Sequence, residues 1–181
     1  MTDWSHIVTQ HGPMVWRTVY RLVRHDADAA DCFQRAFVSA LELSRSDVIL
    51  NWAAFLKRVA TARAIECLRQ RRRAAERLTT LPDHGSADNR AVQPIELAEA
   101  SELGEHLRAA LAELDDVPAQ VFCLACLEGF SYQDIAEQLG VTVNHVGVLL
   151  NRARASLRQR LRAYGPAPAA ESLKQKRGQD L

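Results

Sequence analysis

An all-α fold of two small helical domains joined by a flexible linker is what this 181-residue sequence predicts, on three observations. Apolar residues recur at three- and four-residue steps along most of the chain, and few segments alternate polar with apolar. That periodicity stops from Leu78 to Ile95, where Pro82, Gly85, Pro94 and a polar run between them carry linker chemistry. Charge divides there too. Lys57 to Arg77 holds eight Lys or Arg against Glu66 and Glu76, and Asn144 to Tyr164 holds five Arg and no acid. Asp83 to Asp116 holds nine acids against Arg90 and Arg108. Two basic blocks flanking an acidic middle suggest two surfaces facing a polyanion, most commonly nucleic acid.

The elements follow in order. A first helix runs through Val15, Val19, Leu22 and Val23, with Pro13 read as its start. A second begins near Asp28 and sets Phe33, Phe37, Ala40 and Leu41 on one face. The third, from about Asn51, carries Trp52, Phe55, Leu56, Val59, Ala62, Ile65 and Leu68 inward and arginines elsewhere. Helical signal returns from Leu97 to Leu114, restarts at Pro118 and ends at Gly129. The tail, 165–181, has no aromatic or β-branched residue and reads as disordered. These boundaries give a first domain at 1–77, a linker at 78–97, a second domain at 98–164 and the tail.

Ser131-Tyr-Gln-Asp134 is a capping box, in which hydroxyl and carboxylate satisfy helix-start N–H groups reciprocally. The short helix behind it carries Ile135, Ala136 and Leu139 and stops at Gly140. Val141 to Asn144 then lead into a longer, arginine-bearing helix that returns Val146 and Leu149 to the core. The Ala136–Gly140 spacing allows two helices to cross closely with a left-handed turn between them. This is a helix-turn-helix, whose second helix presents its N-terminal residues to a DNA major groove. Thr142, Asn144, His145, Gly147, Val148, Asn151, Arg152, Arg154 and Arg158 are exposed by this phasing. The arginines suit phosphates, and Asn144, His145 and Asn151 suit base or backbone contacts. A plain helical hairpin with a solvated basic face remains the alternative on these residues alone.

No apolar run approaches the roughly 18 residues of a membrane span, and Met1 to Gln10 lacks the basic start and apolar core of an export signal. A cytoplasmic protein with reduced thiols at positions 32, 67, 123 and 126 is expected. Cys123-Leu-Ala-Cys126 has the spacing of a redox or metal motif. It lies mid-helix with no second pair, which favours buried packing. No P-loop, G-x-G-x-x-G, G-x-S-x-G or H-E-x-x-H occurs, so no catalysis, cofactor or metal is expected.

Leu114 to Leu161, including Arg152-Ala153-Arg154, is similar to the fourth conserved region of extracytoplasmic-function sigma factors. Asp28-Ala-Ala-Asp31 with Gln34 and Phe37 resembles the family's second-region acidic helix. Trp52-Ala-Ala-Phe55-Leu56 running into Arg69–Arg73 resembles its promoter-melting helix. The resemblance implies a transcription initiation factor that binds core RNA polymerase at the β′ clamp and the β flap. Asp28, Asp31, Gln34 and Arg35 would dock on the clamp. Asn51, Lys57, Arg58, Arg63, Arg69, Arg71, Arg72 and Arg73 would hold the minus-ten element, and the loop from Ser44 to Asn51 would capture a flipped base. Thr142, Asn144, His145, Val148, Asn151, Arg152, Arg154 and Arg158 would engage the minus-thirty-five element.

Two departures stand out. Gly147 and Leu149 replace the Lys and Arg typical of the recognition helix, and a helical glycine costs roughly 1 kcal/mol against alanine. Ala30 and Arg35 replace common glutamates in the acidic helix, which weakens docking by exposed pairs worth about 0.2 to 1 kcal/mol each. Phosphorylation at Ser39, Ser44 or Ser46 by a Ser/Thr kinase would restore about −1.5 to −2 charges there. An anti-sigma factor is the other implied regulator. Two readings of a different class stay open: a helix-turn-helix regulator that never meets polymerase, and a sigma mimic that only sequesters an anti-sigma factor.

Overall fold

The computed structural model describes residues 3–45, 48–79 and 95–164. The linker core (80–94), the tail and Ser46 lie outside the described residues. Three helices, α1 (Trp4–Val23), α2 (Asp26–Leu43) and α3 (Trp52–Thr79), make an N-terminal bundle. Four more, α4 (Ile95–Glu113), α5 (Asp116–Phe122), α6 (Tyr132–Leu139) and α7 (Val143–Leu161), make the C-terminal module. A π-helical turn, Cys123–Leu127, extends α5, and a 3-10 turn, Arg162–Tyr164, closes α7.

Helix starts follow their caps. The Asp3 carboxylate accepts from the His6 N–H at 3.1 Å, and Asn51 Oδ1 accepts from the Ala54 N–H at 3.0 Å. The first of these corrects the reading of Pro13 as a helix start, because Pro13 sits inside α1. Its ring faces outward, where solvent can reach the Thr9 carbonyl that the missing N–H leaves free. Arg24 adopts a left-handed conformation (φ 53°) and ends α1, its N–H donating to Tyr20 O at 2.9 Å.

The N-terminal core fills with Val15, Val19, Leu56, Ile65 and neighbouring apolar side chains, all buried. Around its rim Trp52 meets Trp4 and Phe55 edge to face, with ring centroids 5.4 and 5.9 Å apart. A second core of Val121, Leu124, Ile135, Val146 and Leu150 holds the helix-turn-helix. Leu111, Leu114, Ala119, Cys123, Ala153 and Leu157 belong instead to the buried cluster of the N-terminal bundle. The two modules therefore share an apolar seam, with α3 packed against α4 and α5. Within the C-terminal module α4 packs on α7, and α3 covers the apolar side of α4, α5 and the π turn.

Gly140 ends α6 at φ 66°, with Val141 N–H closing onto Ala136 O at 3.1 Å. A Cβ added there meets nothing within 4 Å, so the penalty for replacing it is conformational rather than steric. Gly140→Ala should cost about 1 to 2 kcal/mol in urea unfolding, and Gly140→Asn distinctly less, since Asn tolerates the left-handed region.

Candidate nucleic-acid interface

The helix-turn-helix is built as its capping signals require. Ser131 Oγ accepts from the Asp134 N–H at 3.1 Å while Asp134 Oδ2 accepts from the Ser131 N–H at 3.1 Å. The Ser131 hydroxyl and backbone N–H hold the Asp134 carboxyl below its ordinary value. That stabilisation is present above the unfolded carboxylate pKa and is lost as pH falls through the lowered folded value. Thr142 caps α7 in the same manner, its hydroxyl accepting from the His145 N–H at 3.2 Å. It is thus a structural cap as well as a member of the exposed set.

Asn144, His145, Val148, Asn151, Arg152 and Arg158 stand exposed on α7, while Val146, Leu149 and Leu150 are buried. Gly147 is half-buried, and a Cβ there would meet the Tyr132 ring at 3.8 Å, an ordinary contact. Packing within the chain does not demand a glycine. Arg154 departs from a simple outward arginine, because its Nη2 donates to Cys126 Sγ at 3.6 Å. Cys126 itself is exposed, whereas burial pushes the Cys123 thiol up to about 12. The reading of both cysteines as buried packing is corrected for Cys126, since the π turn rotates it outward.

Part of the basic face of α3 is occupied. Lys57 Nζ pairs with Glu128 Oε2 at 3.2 Å and lies over the Phe130 ring, and Arg21 also pairs with Glu128. The Glu128 side chain is only 6% exposed, so two cations neutralise a nearly buried carboxylate. Arg69 pairs with Asp116 and donates to Leu114 O. Arg72 reaches Glu76 at 2.7 Å and Glu113 at 3.6 Å, and Glu113 also holds Arg160 at 2.8 Å. Acids of the C-terminal module thus meet Lys57, Arg69 and Arg72.

Other candidates have structural duties. Arg71 pairs with Asp28 and donates to Val23 O at 2.8 Å, tying α3 to the end of α1. Asp28 and Arg71, assigned on sequence to two different partners, neutralise each other here. Asn51 caps α3, and Arg58 lies over the Phe55 ring at 5.1 Å with its guanidinium lowered from its ordinary value by burial. Arg63 and Arg73 stand exposed on α3. On α2, Asp31 and Arg35 form an exposed pair at 2.9 Å, and Gln34 is exposed beside them. Ser39 is 8% exposed, which sets it aside as a phosphorylation site. Ser44 is half-buried and donates to Leu41 O at 3.0 Å.

Sequence reasoning missed Glu128 and Arg21. An acid just before a turn glycine has no local signature, and its importance comes only from the helices folded over it.

Residues 7–74 match Sigma-70 region 2 and residues 105–157 match Sigma-70, region 4. The chain belongs to the sigma-70 family, in its extracytoplasmic-function (ECF) class. It is 29% identical over 170 residues to the ECF RNA polymerase sigma factor SigE of Mycolicibacterium smegmatis (strain ATCC 700084 / mc(2)155), covering 93% of this chain and 65% of that protein. The ECF chain thus spans just under two thirds of that relative's length. Its fold is similar to that of the sigma factor RpoE solved in complex with the anti-sigma factor NepR from Bartonella quintana. That match has a TM-score of 0.51 and 20% identity, over 90% of this chain and 98% of that one. Among the described residues no helix is long and apolar enough to cross a membrane, and no cluster of side chains could hold a metal ion.

Replacing Arg71 removes hydrogen bonds to a charged partner and to a helix-end carbonyl. Arg71→Ala should cost about 1 to 3 kcal/mol of folding stability. Arg73→Ala should change it by less than about 0.5 kcal/mol. Urea unfolding of the two variants side by side checks the assignment.

Proposed function

We propose that this protein is a cytoplasmic, non-enzymatic promoter-specificity subunit that recruits core RNA polymerase, with promoter DNA as its ligand. The observation that supports the reading is the pairing, on one chain, of two differently built surfaces suited to DNA. The exposed N-terminal face of α7 fits a duplex major groove, and the cations along α3 suit an opened strand. Phosphate contacts would supply affinity and salt dependence, with Asn144, His145 and Asn151 placed for base edges. Val48 and Leu50, 88% and 93% exposed beside Asn51, offer an apolar surface in the loop assigned to the flipped base. Asp31, Gln34 and Arg35 remain available on α2 for the polymerase clamp, and the β flap is the partner assigned to the C-terminal module.

The reading requires the seam between the modules to open. Glu128, Asp116 and Glu113 compete with DNA for Lys57, Arg69 and Arg72, so strand capture and interdomain closure exclude each other. An anti-sigma factor that favours the closed arrangement would act through this competition, and polymerase would act against it.

Mixing the purified chain with core polymerase and promoter templates should yield transcripts whose start sites depend on the added chain. Absence of both association and transcripts would sink the proposal. Glu128→Gln releases two cations from a nearly buried acid. It should raise affinity for single-stranded promoter DNA about 5- to 30-fold, the equivalent of about 1 to 2 kcal/mol. Fluorescence anisotropy on a labelled non-template strand measures this, and an unchanged affinity would remove Glu128 from the competition.

A further inference from the structure

Two thiols that the proposed function does not use face each other across the N-terminal bundle. Cys32, buried on α2, has its Sγ 3.7 Å from the carbonyl oxygen of Arg63 on α3. Cys67, one turn further along α3 from Arg63 and half-buried, lines the same cavity as Cys32. That cavity, of about 320 Å³, also takes in Arg35, Arg63, Glu66 and Asp116. A small polar oxidant can therefore reach the half-buried Cys67, with Cys32 behind it to resolve the product.

We propose that Cys32 and Cys67 form a dithiol site that a hydroperoxide converts to an intramolecular disulfide, with Cys67 attacking and Cys32 resolving. The Cys67 thiolate attacks the terminal oxygen of ROOH. The O–O bond breaks, an S–O bond forms, and the alkoxide leaves to take up the proton that Cys67 gave up. The sulfur of Cys32 then attacks the sulfenic sulfur. An S–S bond forms, the S–O bond breaks, and the departing hydroxide takes the Cys32 proton as water. In total two thiols lose two electrons and two protons, and the hydroperoxide becomes ROH and water.

Surroundings divide the roles. The Cys32 thiol can donate to Arg63 O while Cys67 is protonated, and to the Cys67 sulfur once it is ionised. That hydrogen bond, with Arg71 nearby, lowers the Cys67 thiol from its ordinary value, whereas Cys32 is raised by its partner and by burial. Cys67 is thus both the more ionisable sulfur and the more accessible one. Cys123 and Cys126 offer no equal: they lie on one helical turn, with Cys123 buried and protonated and Cys126 turned out to Arg154. The new bond would pin α2 to α3 directly beneath Asp31 and Arg35, a consequence that rests on their proposed docking role. The oxidation itself does not.

The test uses the reduced full chain treated with hydrogen peroxide, alkylated, digested and mapped by mass spectrometry. The expected product is a Cys32–Cys67 linked peptide pair, two hydrogens lighter, formed at least about tenfold faster than any product at Cys126. The oxidised chain should melt several degrees higher, because the bond closes a loop in the unfolded state. Cys126→Ser should leave the product unchanged. Cys32→Ser should accumulate a sulfenic acid on Cys67 that dimedone captures. Should that core variant fail to fold, Cys67→Ser at the half-exposed position should abolish the product and leave Cys32 fully alkylatable. The inference is overturned if both thiols stay alkylatable at peroxide levels that oxidise Cys126, or if every disulfide joins Cys123 to Cys126 or links two chains. Promoter-dependent transcription is read separately, so a failed disulfide and a failed transcription assay identify different errors.

Discussion

The physical constraint from which the arrangement follows is the double duty of α3, a helix of 28 residues. Its first turns are walled into the N-terminal bundle by Phe55, Leu56, Val59 and Ile65, all buried. Its flanks carry Lys57, Arg69 and Arg72, which cannot enter an apolar core and must find water, acids or a polyanion. In this structure they find acids. Glu128, Asp116 and Glu113 approach from the C-terminal module, and the apolar faces of α4 and α5 close beside them.

The same pairings are weak fasteners of the seam. Exposed ion pairs contribute little, and the nearly buried Glu128 repays its desolvation only because two cations share it. A backbone phosphate offers Lys57 and Arg69 equivalent charge. The enclosing free energy therefore comes mainly from the apolar contacts of Leu111, Leu114, Ala119 and Leu157, which a partner would have to replace or expose. In this arrangement α7 keeps its exposed face while Lys57, Arg69 and Arg72 of α3 are paired, so under the proposed function duplex reading needs no opening of the seam and strand capture does.

Side chains with two claims on them show where family resemblance and this chain's own packing diverge. Asp28 and Arg71 were each assigned outward, yet they bind one another and the end of α1. Thr142 was placed among DNA contacts, yet its hydroxyl is committed to the α7 cap. Cap and contact are compatible for Thr142, whose methyl group remains free. For Arg71, leaving the Val23 carbonyl would strip an acceptor at a helix end, so its contribution is chiefly to hold the bundle.

Local physics wrote much of this protein into its sequence. Helical periodicity, the Ser131–Asp134 box and the Ala136–Gly140 spacing act over three to seven residues, and each appears in the fold as the chain order implies. The start of α1 was legible as well, in Asp3, but Pro13 imitated the signal because proline suits a first turn and is also tolerated on an exposed face. What only the tertiary structure decided is which charges meet. Glu128 faces Arg21 and Lys57, and Cys32 faces Cys67, across separations that no local rule spans. Such pairs arise only when helices distant in sequence choose their common faces, a choice made by burying the whole apolar surface at once.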